Sequence, residues 1–279
     1  MATVLISGVS TGIGKATALE LLQRGWRVYG SVRRAEDAKE LTEAHPDRFH
    51  AIIMDVTDAV ARASAVAQVE AAGHQLSALV NNAGVAISGP LELLPEAQIR
   101  QQFEVNVFGL LGLTQVCLPL LHRAQEAGES PVRIVNVSSV SGYVSSPYTS
   151  LYSASKFAVE ALTDGLRREL YDFNIDVVSI APGPVKTPIW QKASDQRDVF
   201  TGRYAHVVEK LDPYLENTMK TAIPAEVVAL KIADVLEARR PRPDQIVMPK
   251  GWMIRLFRLF PKRRVDKLAV KRINSARRY

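Results

Sequence analysis

Short runs of apolar and β-branched residues punctuate the chain: "TVLIS" at 3–7, "RVYGSV" at 27–32, "HAIIM" at 50–54, "ALVNN" at 78–82, "VRIVNVS" at 132–138, "DVVSIA" at 176–181 and "QIVM" at 245–248. These runs are apolar at successive positions rather than at every second one, so each predicts a strand with both faces buried. The stretches between them carry apolar residues at helical spacing, as in "KATALELLQRG" at 15–25, where Gly25 follows the last apolar turn as a stop signal. Strand and helix in alternation predict an α/β fold of three layers: a doubly wound parallel sheet of about seven strands, Rossmann-like, with ligands outside the carboxyl ends of the strands. No repeat, low-complexity tract or linker separates two cores, so a single domain is expected. Residues 188–244 are too many for a simple crossover and predict extra helices near the ligand, with a lid over about 188–222.

Composition narrows this only a little. The 279 residues, 47% hydrophobic and 23% charged, suffice for one large core. The one cysteine, Cys117, excludes an internal disulfide, and "MATVLISGVSTGIG" lacks the charged and apolar regions of a signal peptide. No stretch approaches the roughly 20 consecutive apolar residues of a membrane span. A cytoplasmic, non-spanning protein is the expectation.

Charge changes the picture at one end. Residues 250–279 hold eleven Lys or Arg against Asp266 alone, a net +10, whereas residues 1–249 hold 24 basic and 28 acidic residues, a net −4. The chain therefore divides into a body at 1–249 and a basic tail at 250–279. Wound as one helix, "WMIRLFRLFPKRR" sets Trp252, Met253, Leu256, Phe257 and Phe260 on one side and Arg255 and Arg258 on the other. Such a helix suits peripheral contact with an anionic membrane, and equally suits the body's own core or a partner subunit. No nucleic-acid-binding fold accompanies the charge, so nucleic acid is not an expected partner.

Candidate chemistry begins in the first strand-to-helix turn. Gly8, Gly12 and Gly14 in "SGVSTGIG" allow backbone to approach a pyrophosphate, and the following helix supplies N–H donors and a partial positive charge. After the second strand there is no acid through Val32, and Arg33 and Arg34 follow, with Lys15 a third positive charge. A carboxylate there would select NAD; arginines accommodate the extra phosphate of NADP, which is favoured, with NAD the second choice. Glu36 and Asp37 lie too far past the strand end to serve as ribose ligands.

In "LYSASKFAVEAL" Tyr152 and Lys156 stand one helical turn apart, roughly 5–6 Å between Cβ atoms. An ammonium beside a phenol in a partly dry site would lower the phenol from about 10 toward ~7, a preference of roughly 4 kcal/mol, and give a general acid/base. A packed tyrosine beside a solvated lysine is the more frequent origin of this spacing. Ser139, at the end of the fifth run and thirteen residues before Tyr152, adds a hydroxyl able to hold a carbonyl oxygen. The five histidines are scattered and no metal is expected.

Taken in order, these motifs make the chain resemble the short-chain dehydrogenase/reductase family over about residues 3–190. "SGVSTGIG" is similar to its T-G-x-x-x-G-x-G, with Ser7 in place of Thr; "DVTD" at 55–58, "NNAG" at 81–84, "NVFG" at 106–109, Ser139, the Tyr152/Lys156 pair and "PGPVKT" at 182–187 follow. The resemblance implies a catalytic set of Asn106, Ser139, Tyr152 and Lys156. Tyr152 would exchange the proton, Ser139 position the oxygen, Lys156 hold the nicotinamide ribose, and Asn106 anchor a relay water. It implies cofactor contacts from Gly8, Ser10, Thr11, Gly12, Ile13 and Gly14 in the turn, and from Asp55 and Val56 at the adenine. Asn82, Ala83 and Gly84 would lie at the ribose, and Pro182, Gly183, Val185 and Thr187 near the carboxamide. It also implies pairing of subunits through the helices carrying Asn106 and Tyr152. The substrate region would include Val140, Tyr143, Tyr148, Trp190 and Tyr204, an apolar lining suited to a steroid-, retinoid- or lipid-like ketone or secondary alcohol. The implied activity is hydride transfer between NADP and that substrate. The alternatives are an acyl thioester on a carrier protein as substrate, or a non-catalytic nucleotide-binding or membrane-surface protein on the same fold.

Overall fold

The apolar runs become the strands of one sheet in the computed structural model, which describes residues 1–129, 131–188, 197–257 and 259–274. They are β1 (Thr3–Ile6), β2 (Arg27–Val32), β3 (Phe49–Ile53), β4 (Ala78–Asn81), β5 (Val132–Val137), β6 (Ile175–Pro182) and β7 (Asp244–Val247). All pair in parallel, in the order β3-β2-β1-β4-β5-β6-β7. Continuous apolarity has the cause expected of it. Val4 and Ile6 pack on the face covered by α1 (Gly12–Gln23) and a later helix (Ala225–Glu237), while Leu5 between them packs on the other face. There it meets α3 (Ala59–Ala71), which follows the short α2 (Lys39–Ala44), and the long helix described next. α1 ends where Gly25 adopts φ +85°, a left-handed stop.

The segment Glu96–Glu126 is one continuous 31-residue helix, built from α4 (Glu96–Phe103), a π-helical turn (Glu104–Gly109) and α5 (Leu110–Glu126). By length and composition it could cross a membrane, against the expectation that no stretch could; Asn106, Thr114 and Gln115 interrupt what would otherwise be an apolar run. Half of its most apolar stretch is buried, with Leu113, Cys117, Leu120 and Leu121 packed under the sheet. Burial also pushes the Cys117 thiol up to about 12, so it stays protonated and inert. Phe108 and Leu111 on this helix, and Phe157 on α6 (Ser150–Glu169), are exposed.

The chain turns back beside β1, whose neighbours are β2 and β4. Crossovers on either side of this point leave a crevice at the strands' carboxyl ends. Within the expected lid lies α7 (Ala205–Lys220), followed by α8, the helix Ala225–Glu237 already placed on the sheet. The tail is not one helix. It forms α9 (Trp252–Phe257) and α10 (Lys262–Asn274), broken at Pro261, whose carbonyl accepts from Arg264 and Val265. Arg255 pairs with Asp244, while the side chains of Phe257 and Arg258 lie outside the described residues. α10 packs against α7.

Candidate active site

The glycine turn is built by close approach of backbone to backbone. Gly8 and Gly12 have φ of +75° and +59°, conformations that side chains disfavour. A Cβ on Gly14 would sit well inside van der Waals contact of the Gly8 carbonyl and the Asn82 side chain. Ser7, which replaces the usual threonine, accepts at Oγ from the backbone N–H groups of Asn82 and Ala83, both at 3.0 Å. Asn82 Nδ2 donates to the carbonyls of Ser7 and Gly8 at 3.0 and 2.8 Å. The end of β4 thus clamps the turn after β1, and this amide works on the protein's own backbone.

A second clamp holds the loop after β4. Asn106, in the π-helical turn, accepts from Val85 N at 2.8 Å and donates from Nδ2 to Val85 O at 3.0 Å and Ser155 Oγ at 3.1 Å. One turn earlier Gln102 accepts from Ile87 N and donates to Val85 O, both at 2.8 Å. Gln102 carries no motif, and sequence reading missed it.

Tyr152 and Lys156 do share a face of α6. Lys156 Nζ lies 5.8 Å from the centre of the Tyr152 ring and donates to Val137 O at 2.8 Å. Tyr152 also shares a side-chain hydrogen bond with Ser139, whose Oγ accepts from Ser141 N at 3.1 Å. The electrostatics differ from the expectation. Burial raises the Tyr152 phenol above its ordinary value, and the bond with Ser139 only partly opposes this. Burial likewise lowers Lys156 to about 8, with the Glu160 carboxylate acting the other way. Loss of hydration disfavours both charged forms more than the two groups stabilise each other's charge. Glu160, one turn beyond Lys156, accepts from Ser179 Oγ at 2.7 Å and from the Tyr143 hydroxyl at 2.9 Å. The sequence holds a weak signal for Glu160, an acid four residues after the lysine on the same face, and it went unread.

These groups open on one cavity of about 1350 Å³. Of the residues singled out from sequence, Gly8, Ser10, Thr11, Gly12, Ile13, Arg33, Asp55, Val56, Asn82, Ala83, Gly84, Ser139, Val140, Tyr148, Tyr152, Lys156, Pro182, Gly183, Val185 and Thr187 line it. Burial disfavours the Asp55 carboxylate, yet its hydrogen bonds from Thr57 and the nearby Arg33 hold it below its ordinary value.

Six residues stand elsewhere. Gly14 and Asn106 lie behind the lining as braces. Arg34 lies off the cavity, its guanidinium held by Asp37 at 2.9 Å, and Lys15 is held by Glu40 at 2.6 Å. Asp37 instead reaches the lining, beside Arg33. Tyr143 points to Glu160 rather than to the cavity, which corrects its assignment to the substrate region. Tyr204 also stands off the lining: it donates to Glu92 at 3.0 Å and packs edge-on to Tyr148, 6.4 Å away. Trp190 lies outside the described residues.

Sequence reading placed Tyr148 and the lid segment near the ligand, but named none of the tail residues in the far wall of the cavity. Leu215 and Thr218 of α7, Ile254 of α9, and Val265, Leu268 and Ala269 of α10 line it together with Phe200 and Tyr148. Tyr148 is held at φ 64°, an uncommon conformation for an aromatic residue, with its ring 5.4 Å from that of Phe200.

A parallel sheet with a glycine turn at its crossover point and a Ser/Tyr/Lys cluster beside it defines a dinucleotide-binding oxidoreductase fold. Residues 2–198 match the short chain dehydrogenase family. The chain is similar to an NADPH-dependent 3-dehydrocapnine reductase of Ornithobacterium rhinotracheale, 40% identical over 97% of each chain. It is also similar to a 3-ketodihydrosphingosine reductase of Bacteroides thetaiotaomicron, 34% identical over 66% of this chain and 64% of that one. Among solved structures, a short-chain dehydrogenase from Streptomyces avermitilis superposes with a TM-score of 0.79 at 29% identity, covering 93% of each chain. The chain belongs to the short-chain dehydrogenase family of NAD(P)-dependent oxidoreductases.

The position of Glu160 makes a pH prediction. Its charge holds Lys156 up, so Glu160→Gln should drop Lys156 below about 8. The ammonium is present below that value and lost as pH rises through it. The alkaline limb of the kcat/KM profile should therefore move to lower pH in the variant; an unmoved limb would show that Glu160 does not act on Lys156.

Proposed function

We propose that the protein is an NADPH-dependent reductase of hydrophobic ketones, with Tyr152 as proton donor. The observation that carries this reading is the Tyr152 hydroxyl, bonded to Ser139 in a cavity that runs from the glycine turn to an apolar wall. The residues fit the cofactor. The turn has no room for a Cβ on Gly12, which would meet Thr187 Cγ2 at 3.0 Å, nor for one on Gly14, and the N-terminus of α1 supplies donors for a pyrophosphate. Arg33 lines the cavity whereas Arg34 is held off it by Asp37, so Arg33 is the arginine assigned to the 2′-phosphate. Lys156 has three N–H donors and spends one on Val137 O, leaving the others for the ribose.

NADPH, when bound, supplies the hydride. Ser139 holds the substrate oxygen by a hydrogen bond, and Tyr152 gives its proton to that oxygen as negative charge develops there. The buried phenol is protonated at neutral pH, as a general acid must be before it donates, and donation then depends on stabilising the phenolate that forms. Lys156, held by Val137 and Glu160, stands beside the phenolate that forms and stabilises it by charge. The apolar wall of Phe200, Leu215, Ile254 and Leu268 favours a substrate with a long or bulky apolar group. Two relatives whose names describe a 3-dehydro or 3-keto compound and its reductase favour the same direction.

The exposed face formed by Phe108, Leu111 and Phe157 fits a second copy of the chain. Phe108→Asp should reduce the mass measured by light scattering to that of one chain; equal masses for both proteins would remove this assembly.

The chemistry is tested by Tyr152→Phe, followed through nicotinamide absorbance over a panel of ketones. A fall of roughly 10²–10⁴-fold in kcat with NADPH binding retained is expected; undiminished turnover would remove Tyr152 from its role. Arg33→Ala should raise the KM for NADPH by about 10–100-fold, the loss of one charge-assisted bond, and leave that for NADH nearly unchanged. Equal effects on both cofactors would place the phosphate elsewhere.

A further inference from the structure

We propose that α9 and α10 seat the protein on an anionic membrane with the mouth of the cavity against the lipid, so that a ketone dissolved in the bilayer enters without crossing water. This deepens the reductase reading and rests on it for the substrate class. Three observations carry it. First, the tail forms part of the cavity wall, through Ile254 on α9 and Val265, Leu268 and Ala269 on α10. Leu268 both lines the cavity and is 56% exposed, so the cavity opens at α10.

Second, the two tail helices and the break between them expose apolar side chains to a degree water does not favour. Leu259 is 80% exposed at the break between the two helices, and Trp252, Met253, Leu256, Phe260 and Val270 are also exposed. Third, the charge is complementary to anionic headgroups. Arg263, Lys267 and Lys271 recur every fourth residue along one side of α10, all exposed, with Arg264 beside them. Val265, Leu268 and Ala269 occupy the other side. Apolar groups that enter the acyl boundary and cations that stay at the headgroups are the two halves of interfacial binding.

A second copy of the chain is the competing occupant. Tail against tail would bring two segments of net +10 together, which like-charge repulsion disfavours.

The test is co-sedimentation of the full chain with vesicles of phosphatidylcholine, with and without roughly a third phosphatidylglycerol. Binding is expected to the anionic vesicles only and to weaken with salt. The triple variant Arg263→Glu, Lys267→Glu, Lys271→Glu should bind about tenfold or more weakly. Leu259→Ser with Phe260→Ser should also weaken binding without changing the net charge. None of these five residues lines the cavity, so turnover of a short water-soluble ketone should be unchanged in both variants. Turnover of a long-chain ketone carried in anionic vesicles should fall.

Equal binding to neutral and anionic vesicles, or triple-variant binding equal to wild type, overturns the proposal. So does a wild-type dimer that the triple variant dissociates in the absence of lipid, since the tail would then be covered by a second copy. Vesicle binding without turnover of any ketone would overturn the reductase reading while leaving the membrane contact standing.

Discussion

The energetic centre of this structure is an ammonium out of water. Removing a lysine charge from solvent costs several kcal/mol unless partners replace the lost hydration. Lys156 is 6% exposed and has two compensations, the Val137 carbonyl at the end of β5 and the Glu160 carboxylate one turn along α6. They hold it at about 8, close enough to neutrality for its charge to respond to small changes nearby. The Lys156–Val137 bond and the bond from Asn136 to Thr163 join α6 to β5. Glu160 is itself held by Ser179 on β6 and by Tyr143, so the support for that charge extends across two strands.

The rest of the site is arranged by side-chain amides that bind backbone. Asn82 grips the turn after β1, while Asn106 and Gln102 grip the loop after β4. A loop lining a cavity has backbone groups with no ladder to satisfy them, and a buried amide can satisfy a donor and an acceptor together. The π-helical turn at Glu104–Gly109 lies where this grip is made. Such turns occur often at functional sites, at the cost of a less regular hydrogen-bond ladder.

The tail follows another rule. Its two helices wall one side of the cavity with a few apolar side chains and leave others exposed, in a segment that carries a net +10. Body and tail therefore meet water on different terms, the body through a mildly acidic polar surface and the tail through an apolar one framed by cations.

Much of this was legible in the sequence, for a local reason. Runs apolar at successive positions can be strands only where both faces are covered, and each run lies on a strand to within one residue at either end. The glycine turn, the Tyr152/Lys156 face and Ser139 at a strand end likewise follow from spacing along a known element. Even the break in the tail was signalled by Pro261, although the apolar stripe concealed it. Tertiary structure decided whatever depended on neighbours remote in the chain. Tyr143 turns to Glu160, and part of the far cavity wall comes from α10, more than a hundred residues after Tyr152. The direction of the Tyr152 shift was decided the same way. Spacing shows that a cation is adjacent, but only packing determines how much water both groups have lost, and here that loss outweighs their attraction.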